Sequence, residues 1–238
     1  MLKIPKIIHQ VYDYRDGRNI PKQLLEISST WKMNHPDWEY NFWDHQKIDT
    51  FLKEYYPHYI SHYFQYIFPV QRWDSIRYLI VFHYGGMYVD MDYESLEPIE
   101  GLLADAECFF GSEPEDHKPA GMSVYLGNSF FGSRRHHPFL QLLVNKCFES
   151  PVKTFESDKM RYVLETTGPG MVSKMYNYLA DKRKIRILPA EHVAPWSLNE
   201  ARLIVSGRYT SKMEEKLEKA YCVHYFFGSW LEKENVKP

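Results

Sequence analysis

Gly85-Gly86-Met87-Tyr88-Val89-Asp90-Met91-Asp92 reads as a helix stop, a short buried strand and, at its end, two carboxylates two residues apart. Successive side chains of a strand point to opposite faces, so residues 90 and 92 share one side. Two carboxylates placed this way suit a hard divalent cation, Mg²⁺ or Mn²⁺. A D-x-D on its own is more often a solvated strand end, so the flanking sequence has to decide. Upstream, Val70 to Tyr84 has helix character, with Pro69 suited to the first turn and Gly85-Gly86 to the end. Asp74 and Arg77 are i,i+3 neighbours on that helix. They read either as a ligand-binding pair at the carboxylate site or as a surface ion pair of little consequence.

Working outward, Ile4 to Tyr12 predicts a buried first strand, and Trp38 to Trp43 alternates as a half-buried strand does. Helices are expected over Pro21–Met33, within His45–Tyr66, and over Pro138–Phe148, Asp158–Glu165, Met171–Ala180 and Ser211–Ala220. Strands are expected at Cys108–Glu113, Val124–Phe131 and Lys184–Leu188. Strands alternating with helices give an α/β architecture, a sheet covered on both faces. The 238 residues suffice for one such domain and are too few for two ordinary ones, so the whole span 1–238 is read as a single domain.

A formal net charge of −2 and the lack of a basic stripe argue against nucleic acid as a partner. The basic runs are local, at Arg134-Arg135 and Lys182–Arg186. Their bland reading is a solvated face; the sharper one is peripheral contact with anionic headgroups or a lipid diphosphate. Three scattered cysteines support neither a disulfide framework nor a zinc knuckle, which points to a reducing compartment. The start of the chain lacks an apolar leader, and the apolar run Tyr78–Phe82 is far below the ~18 residues of a membrane span. The expectation is a cytoplasmic protein, at most peripheral at the inner face of the cytoplasmic membrane. His9, inside an apolar strand, reads as a packed and hydrogen-bonded residue, and Trp31, Trp38 and Trp43 read as core.

The ordered set Ile4-Pro5-Lys6-Ile7-Ile8-His9-Gln10-Val11-Tyr12, Asp74-x-x-Arg77-Tyr78, Gly85-Gly86-x-Tyr88-x-Asp90-x-Asp92, Gly168-Pro169 and His224 with Gly228-Ser229-Trp230 resembles glycosyltransferase family 32, of the capsular polysaccharide type. It is similar more distantly to the glucosylating domains of clostridial toxins. The resemblance implies a GT-A-type, Rossmann-like fold with a central mixed sheet flanked by helices. It also implies a bound Mn²⁺ or Mg²⁺ and transfer with retention of anomeric configuration. Position by position, it places Tyr12 on the donor base, with Val11 touching the base through its backbone. It puts Asp74 and Arg77 on ribose and sugar, Gly86 close to the donor, and Asn128 on the donor sugar. Asp90 and Asp92 then hold the metal, and Asp90 also meets the ribose. His224 joins them as a third ligand, since a neutral imidazole can sit beside two carboxylates on Mn²⁺. Trp230 donates its indole N–H to the diphosphate from a closing segment. Tyr12 stands where the family usually has Trp.

The expected reaction is hexosyl transfer from a nucleotide sugar, UDP-galactose or another UDP-hexose being favoured by the Val-aromatic pair. The acceptor is a glycan or lipid-linked glycan of a surface polysaccharide. A GDP-mannose-dependent mannosyltransferase is the alternative within the family. From other classes, a D-x-D phosphohydrolase calls for Thr or Val where Glu94 stands. A glycoside hydrolase needs carboxylates flanking a ring rather than converging on one point. A silent nucleotide-sugar binder is the third rival.

Overall fold

The computed structural model describes residues 2–15, 17–150 and 154–228. Eight strands lie among them: β1 Ile7–Val11, β2 Glu39–Trp43, β3 Gly86–Val89, β4 Tyr93–Ser95, β5 Cys108–Ser112, β6 Leu126–Ser133, β7 Ile185–Leu188 and β8 Cys222–His224. Six form one sheet in the order β2-β1-β3-β6-β5-β7, and β4 pairs β8 in a small second sheet. The large sheet is mixed. β6 runs antiparallel to β3 and β5, while the β1–β2, β1–β3 and β5–β7 pairs are parallel.

Strand alternation sorts the core onto two faces. Tyr88, Phe110 and Phe131 point to the side packed by helices Pro69–Tyr84, Pro138–Phe148 and Pro169–Asn177. Met87, Val89, Phe109 and Phe130 point to the other, against Trp31 of helix Lys22–Asn34. Both faces being buried, the central strands carry almost no polar alternation, as expected for a covered sheet. This is the α/β architecture that the sequence predicts, with the central mixed sheet flanked by helices that the resemblance implied.

Topology locates the site. After β1 the chain forms β2 on one side and then crosses back to lay β3 on the other. In open α/β sheets, ligands bind outside the carboxyl ends of strands at such a reversal. Tyr12 follows β1 there and Asp90 follows β3.

Two local expectations are corrected. The strand predicted to run through Asp92 stops short of it: the Asp90 N–H still pairs in register with Ser129 O at 2.9 Å, but the Tyr93 N–H turns back on Asp90 O at 3.1 Å. Asp90 and Asp92 therefore converge through a turn rather than by strand alternation. Gly86, expected near the donor, opens β3 at its far end from Asp90. It has φ +95°, and a Cβ there would lie 2.6 Å from the Ile7 carbonyl oxygen. Its bare backbone lets β3 approach β1, a packing requirement that only glycine meets. Helix Leu198–Val205 was not foreseen, although Ser197 and Glu200 form a capping box at its start.

His9 is fully buried. Its Nε2 donates to Gly85 O at 2.9 Å and its Nδ1 accepts from Trp43 Nε1 at 3.1 Å, which fixes the neutral tautomer. Burial pushes its pKa down to about 4, and burial next to Arg134 does the same for His137. Both imidazoles are neutral when folded, whereas the unfolded chain takes up protons below about pH 6.5. Protonation then favours unfolding, so these two groups add no pH dependence above that value, and stability falls progressively as pH drops from 6.5 towards 4. Urea midpoints measured across this window should decline, and His9→Gln should flatten the decline. A midpoint independent of pH between 6.5 and 4.5 would contradict the assignment.

Candidate active site

Asp90, Asp92 and His224 come together with one potential ligand atom from each lying within 4.8 Å of the others. The turn after β3 presents the aspartates, and the β4–β8 pairing sets Tyr93 opposite His224. His224 stacks on the Tyr93 ring with centroids 4.2 Å apart, and its Nε2 pairs with Asp92 Oδ1 at 3.1 Å. The Phe227 N–H donates to Asp92 Oδ2 at 3.0 Å, and the Tyr225 N–H to the Asp92 carbonyl, also at 3.0 Å. Burial alone raises a carboxyl pKa. At Asp92 the His224 charge and these donors more than offset it and hold the group below its usual range. Burial opposes the charged form of His224 as well, but Asp92 and Asp90 together raise its pKa. Two carboxylates and an imidazole fit a divalent ion of the Mn²⁺ type. His224 Nδ1 has no hydrogen-bond partner among the described residues.

Behind Asp90 lies a buried polar chain. The Tyr88 hydroxyl donates to Asp90 Oδ1, and Arg77 Nη1 lies 3.3 Å from the same oxygen. The Arg77 guanidinium rests over the Tyr88 ring at 4.6 Å and donates to Asn128 O and Trp73 O. Asp74 Oδ1 accepts from Asn128 Nδ2, and Asp74 Oδ2 from Thr167 Oγ1, each at 2.8 Å. Arg77 Nη2 stands 3.4 Å from Asp74 Oδ1. Burial raises the Asp74 pKa, opposed by Arg77, Thr167 and Asn128. The i,i+3 pair is therefore buried rather than a surface ion pair. Asp74, expected on ribose and sugar hydroxyls, has both oxygens engaged by protein. It organises Arg77 and Asn128 from behind, while Asp90 keeps the larger exposed share.

At the β1 side, Val11 and Tyr12 are half-buried at the mouth of the crevice. Tyr12 packs on Tyr14 at 4.6 Å and Tyr14 on Trp73 at 4.8 Å, with Arg18 over the Tyr14 ring. Trp73 Nε1 donates to Asp13 O at 3.0 Å and ties this wall to the Asp74 helix. Tyr14, Trp73, Tyr88 and Thr167 were missed as site residues. Trp73 and Tyr88 adjoin quoted motifs, and Thr167 directly precedes Gly168-Pro169, but nothing local marks Tyr14. Trp230 lies outside the described residues.

The basic runs are elsewhere. Lys3, Arg134 and Lys184 surround Glu107, and Arg186 donates to Leu102 O, beside a shallow cavity of about 280 Å³. These residues sit at the amino ends of β5 and β7, whereas the acid cluster is at the other end of the sheet. Asn128 and Arg134 are separated by about 20 Å of β6 and its continuation at ~3.3 Å per residue. Arg134-Arg135 and Lys182–Arg186 therefore lie apart from the acid cluster. No helix among the described residues is long and apolar enough to cross a membrane.

This geometry has counterparts. Residues 21–109 match the family model "Glycosyltransferase sugar-binding region containing DXD motif". Over 195 residues the chain is 30% identical to "Inositol phosphoceramide mannosyltransferase 1" of Schizosaccharomyces pombe, covering 80% of this chain and 57% of that one. It is 34% identical over 196 residues to "Mannosyl phosphorylinositol ceramide synthase CSH1" of Saccharomyces cerevisiae, covering 79% and 48%. The chain spans about half the length of these curated relatives. Among solved structures, "PaToxG Glycosyltransferase" shares the fold with a TM-score of 0.52 at 14% identity, covering 92% of this chain and 85% of that one. Both curated relatives are fungal and named for mannosylation of an inositol lipid, which corrects the expected capsular type.

Proposed function

We propose that this chain transfers mannose from GDP-mannose to a hydroxyl of an inositol-phosphate lipid headgroup, with retention of anomeric configuration and dependence on a divalent metal. The observation that carries the reading is the meeting of Asp90, Asp92 and His224 at the sheet reversal beside the aromatic wall of Tyr12, Tyr14 and Trp73. The relatives' names favour mannose over the UDP-hexose that the Val11-Tyr12 pair suggested.

In this mechanism the metal supplies charge neutralisation at the leaving diphosphate, and the protein does the rest. Asp90, Asp92 and His224 hold the ion. The aromatic wall covers the base, a flat face against flat rings. Tyr88 and Arg77 fix Asp90 in one orientation, and such preorganisation removes reorganisation cost at the moment of reaction. The phosphohydrolase alternative calls for Thr or Val two residues after the second aspartate, where Glu94 stands.

Melting curves with GDP-mannose, UDP-galactose and UDP-glucose, each with and without Mn²⁺, test the reading. Ligand at 100 times its Kd stabilises by about 2.7 kcal/mol. At roughly 2–4 °C per kcal/mol for a chain of this size, GDP-mannose with Mn²⁺ should raise Tm by about 5–10 °C. A shift with UDP sugars alone would overturn the donor, and no shift with any of them would overturn the reading.

A further inference from the structure

Glu113 follows β5, two strands beyond β3 and on the side of the acid cluster away from Tyr12 and Trp73. Its side chain is 11% exposed and held in a defined way. The Leu198 N–H donates to His117 Nε2 at 2.9 Å, so the ring proton is on Nδ1, which donates to Glu113 Oε2 at 3.0 Å. A single neutral donor leaves the carboxylate charge uncompensated. The other oxygen, Oε1, has no hydrogen-bond partner among the described residues and lies over Gly127. A Cβ built on that glycine would fall 2.6 Å from it. Gly127 precedes Asn128, whose amide holds Asp74, so Oε1 lies beside the same strand end that supports the Arg77 network.

The wall above Glu113 is aromatic. The Phe226 ring stands 5.0 Å from His117, edge to face, and 3.8 Å from His224. It is half-buried, and its backbone takes φ +49°, a left-handed conformation that disfavours a bulky side chain. Strain of this kind persists where the surroundings enforce it, often at ligand sites.

We infer that Glu113 and Phe226 form the acceptor subsite, taking a polyhydroxylated ring such as a cyclitol or a sugar. Glu113 Oε1 accepts from a ring hydroxyl and the Phe226 face covers the ring's C–H surface. Carboxylate-to-hydroxyl bonds with aromatic cover suit such rings, whose edges are polar and whose faces are apolar. The inference rests on the glycosyl-transfer reading and deepens it. The donor's base and ribose fall to the β1 side of the aspartates, which leaves the β5 side for the acceptor.

The competing role for Glu113 is a structural tie, through His117, between residues 113–117 and the start of helix Leu198–Val205. Two variants separate these roles. Glu113→Gln keeps an acceptor for His117 Nδ1–H and removes the charge. Gly127→Ala keeps the charge and displaces the carboxylate. Ligand-observed NMR titration of the full chain with myo-inositol and with methyl α-mannoside, in the presence of Mn²⁺ and GDP, is the measurement.

Saturable binding of at least one probe to the unmodified protein is expected. It should weaken about tenfold or more in both variants, the range for losing a hydrogen bond to a charged group, with GDP affinity and Tm unchanged. Equal binding in Glu113→Gln, or no binding of either probe to the unmodified protein, overturns the subsite. A Tm loss in Glu113→Gln with unchanged probe affinity leaves the tie alone. If GDP with Mn²⁺ does not bind but probe binding still depends on Glu113, the donor reading fails and the subsite stands.

Discussion

Alanine at Asp92 is expected to abolish Mn²⁺-dependent turnover, lowering kcat by about 100-fold or more. That loss corresponds to ~2.7 kcal/mol at 1.36 kcal/mol per decade, within what a metal contributes at a leaving phosphate. The same variant should lose the Mn²⁺-dependent part of the Tm rise with nucleotide sugar. Asp92 also secures the Tyr93–His224 side of the site, pairing His224 and accepting from the Phe227 N–H. Asparagine at 92 retains an acceptor for that N–H but is a poor ligand for a hard cation. Comparing the two separates the metal from the tie: Asp92→Asn should keep most of the stability and little of the turnover. Near-normal activity in either variant would contradict the assignment.

Methionine at Arg77 is expected to destabilise the fold by about 3–5 kcal/mol, the cost of breaking a buried ion pair by removing one partner. Arg77 lies between the buried Asp74, at 3.4 Å, and the part-buried Asp90, at 3.3 Å, and also donates to two carbonyls. Its loss leaves negative charge in the interior without a counter-charge. For a chain of this length Tm should fall by roughly 6–20 °C. Adding Asp74→Asn to Arg77→Met should recover part of the loss, because it removes one of the stranded charges. A single variant melting within 2 °C of the unmodified protein would mean that the buried network does not bear on stability. Activity should fall as well, since Arg77 fixes Asp90.

Several features were legible because they are local. Helix Pro138–Phe148 follows its Pro start and apolar run residue for residue. Helix Pro69–Tyr84 ends where Gly85 takes φ +68°. His9 is the packed, hydrogen-bonded residue that its apolar strand implied. Where the reading went astray, a distant segment had taken over a local pattern. Val89-Asp90-Met91-Asp92 alternates like a strand, yet the chain turns after Asp90 and joins a different pairing, with Tyr93 opposite His224. Gly86 looked like a glycine for a ligand, and β1 fills that space instead.

From side-chain periodicity, capping residues and the short motif spacings, the sequence by itself determined an α/β sheet, the helix carrying Asp74 and Arg77, and the two aspartates at a strand end. Such features depend on neighbours a few residues apart, and the backbone geometry of one helix turn or one strand repeat decides them. The family resemblance had set His224 beside Asp92 across 132 residues, but only the tertiary structure decided that Thr167 caps Asp74 across 93. It alone placed the basic runs at the opposite end of the sheet from the aspartates and Glu113 over Gly127. Contacts at that separation are set by strand order and by which faces must be buried together, and a linear pattern carries neither.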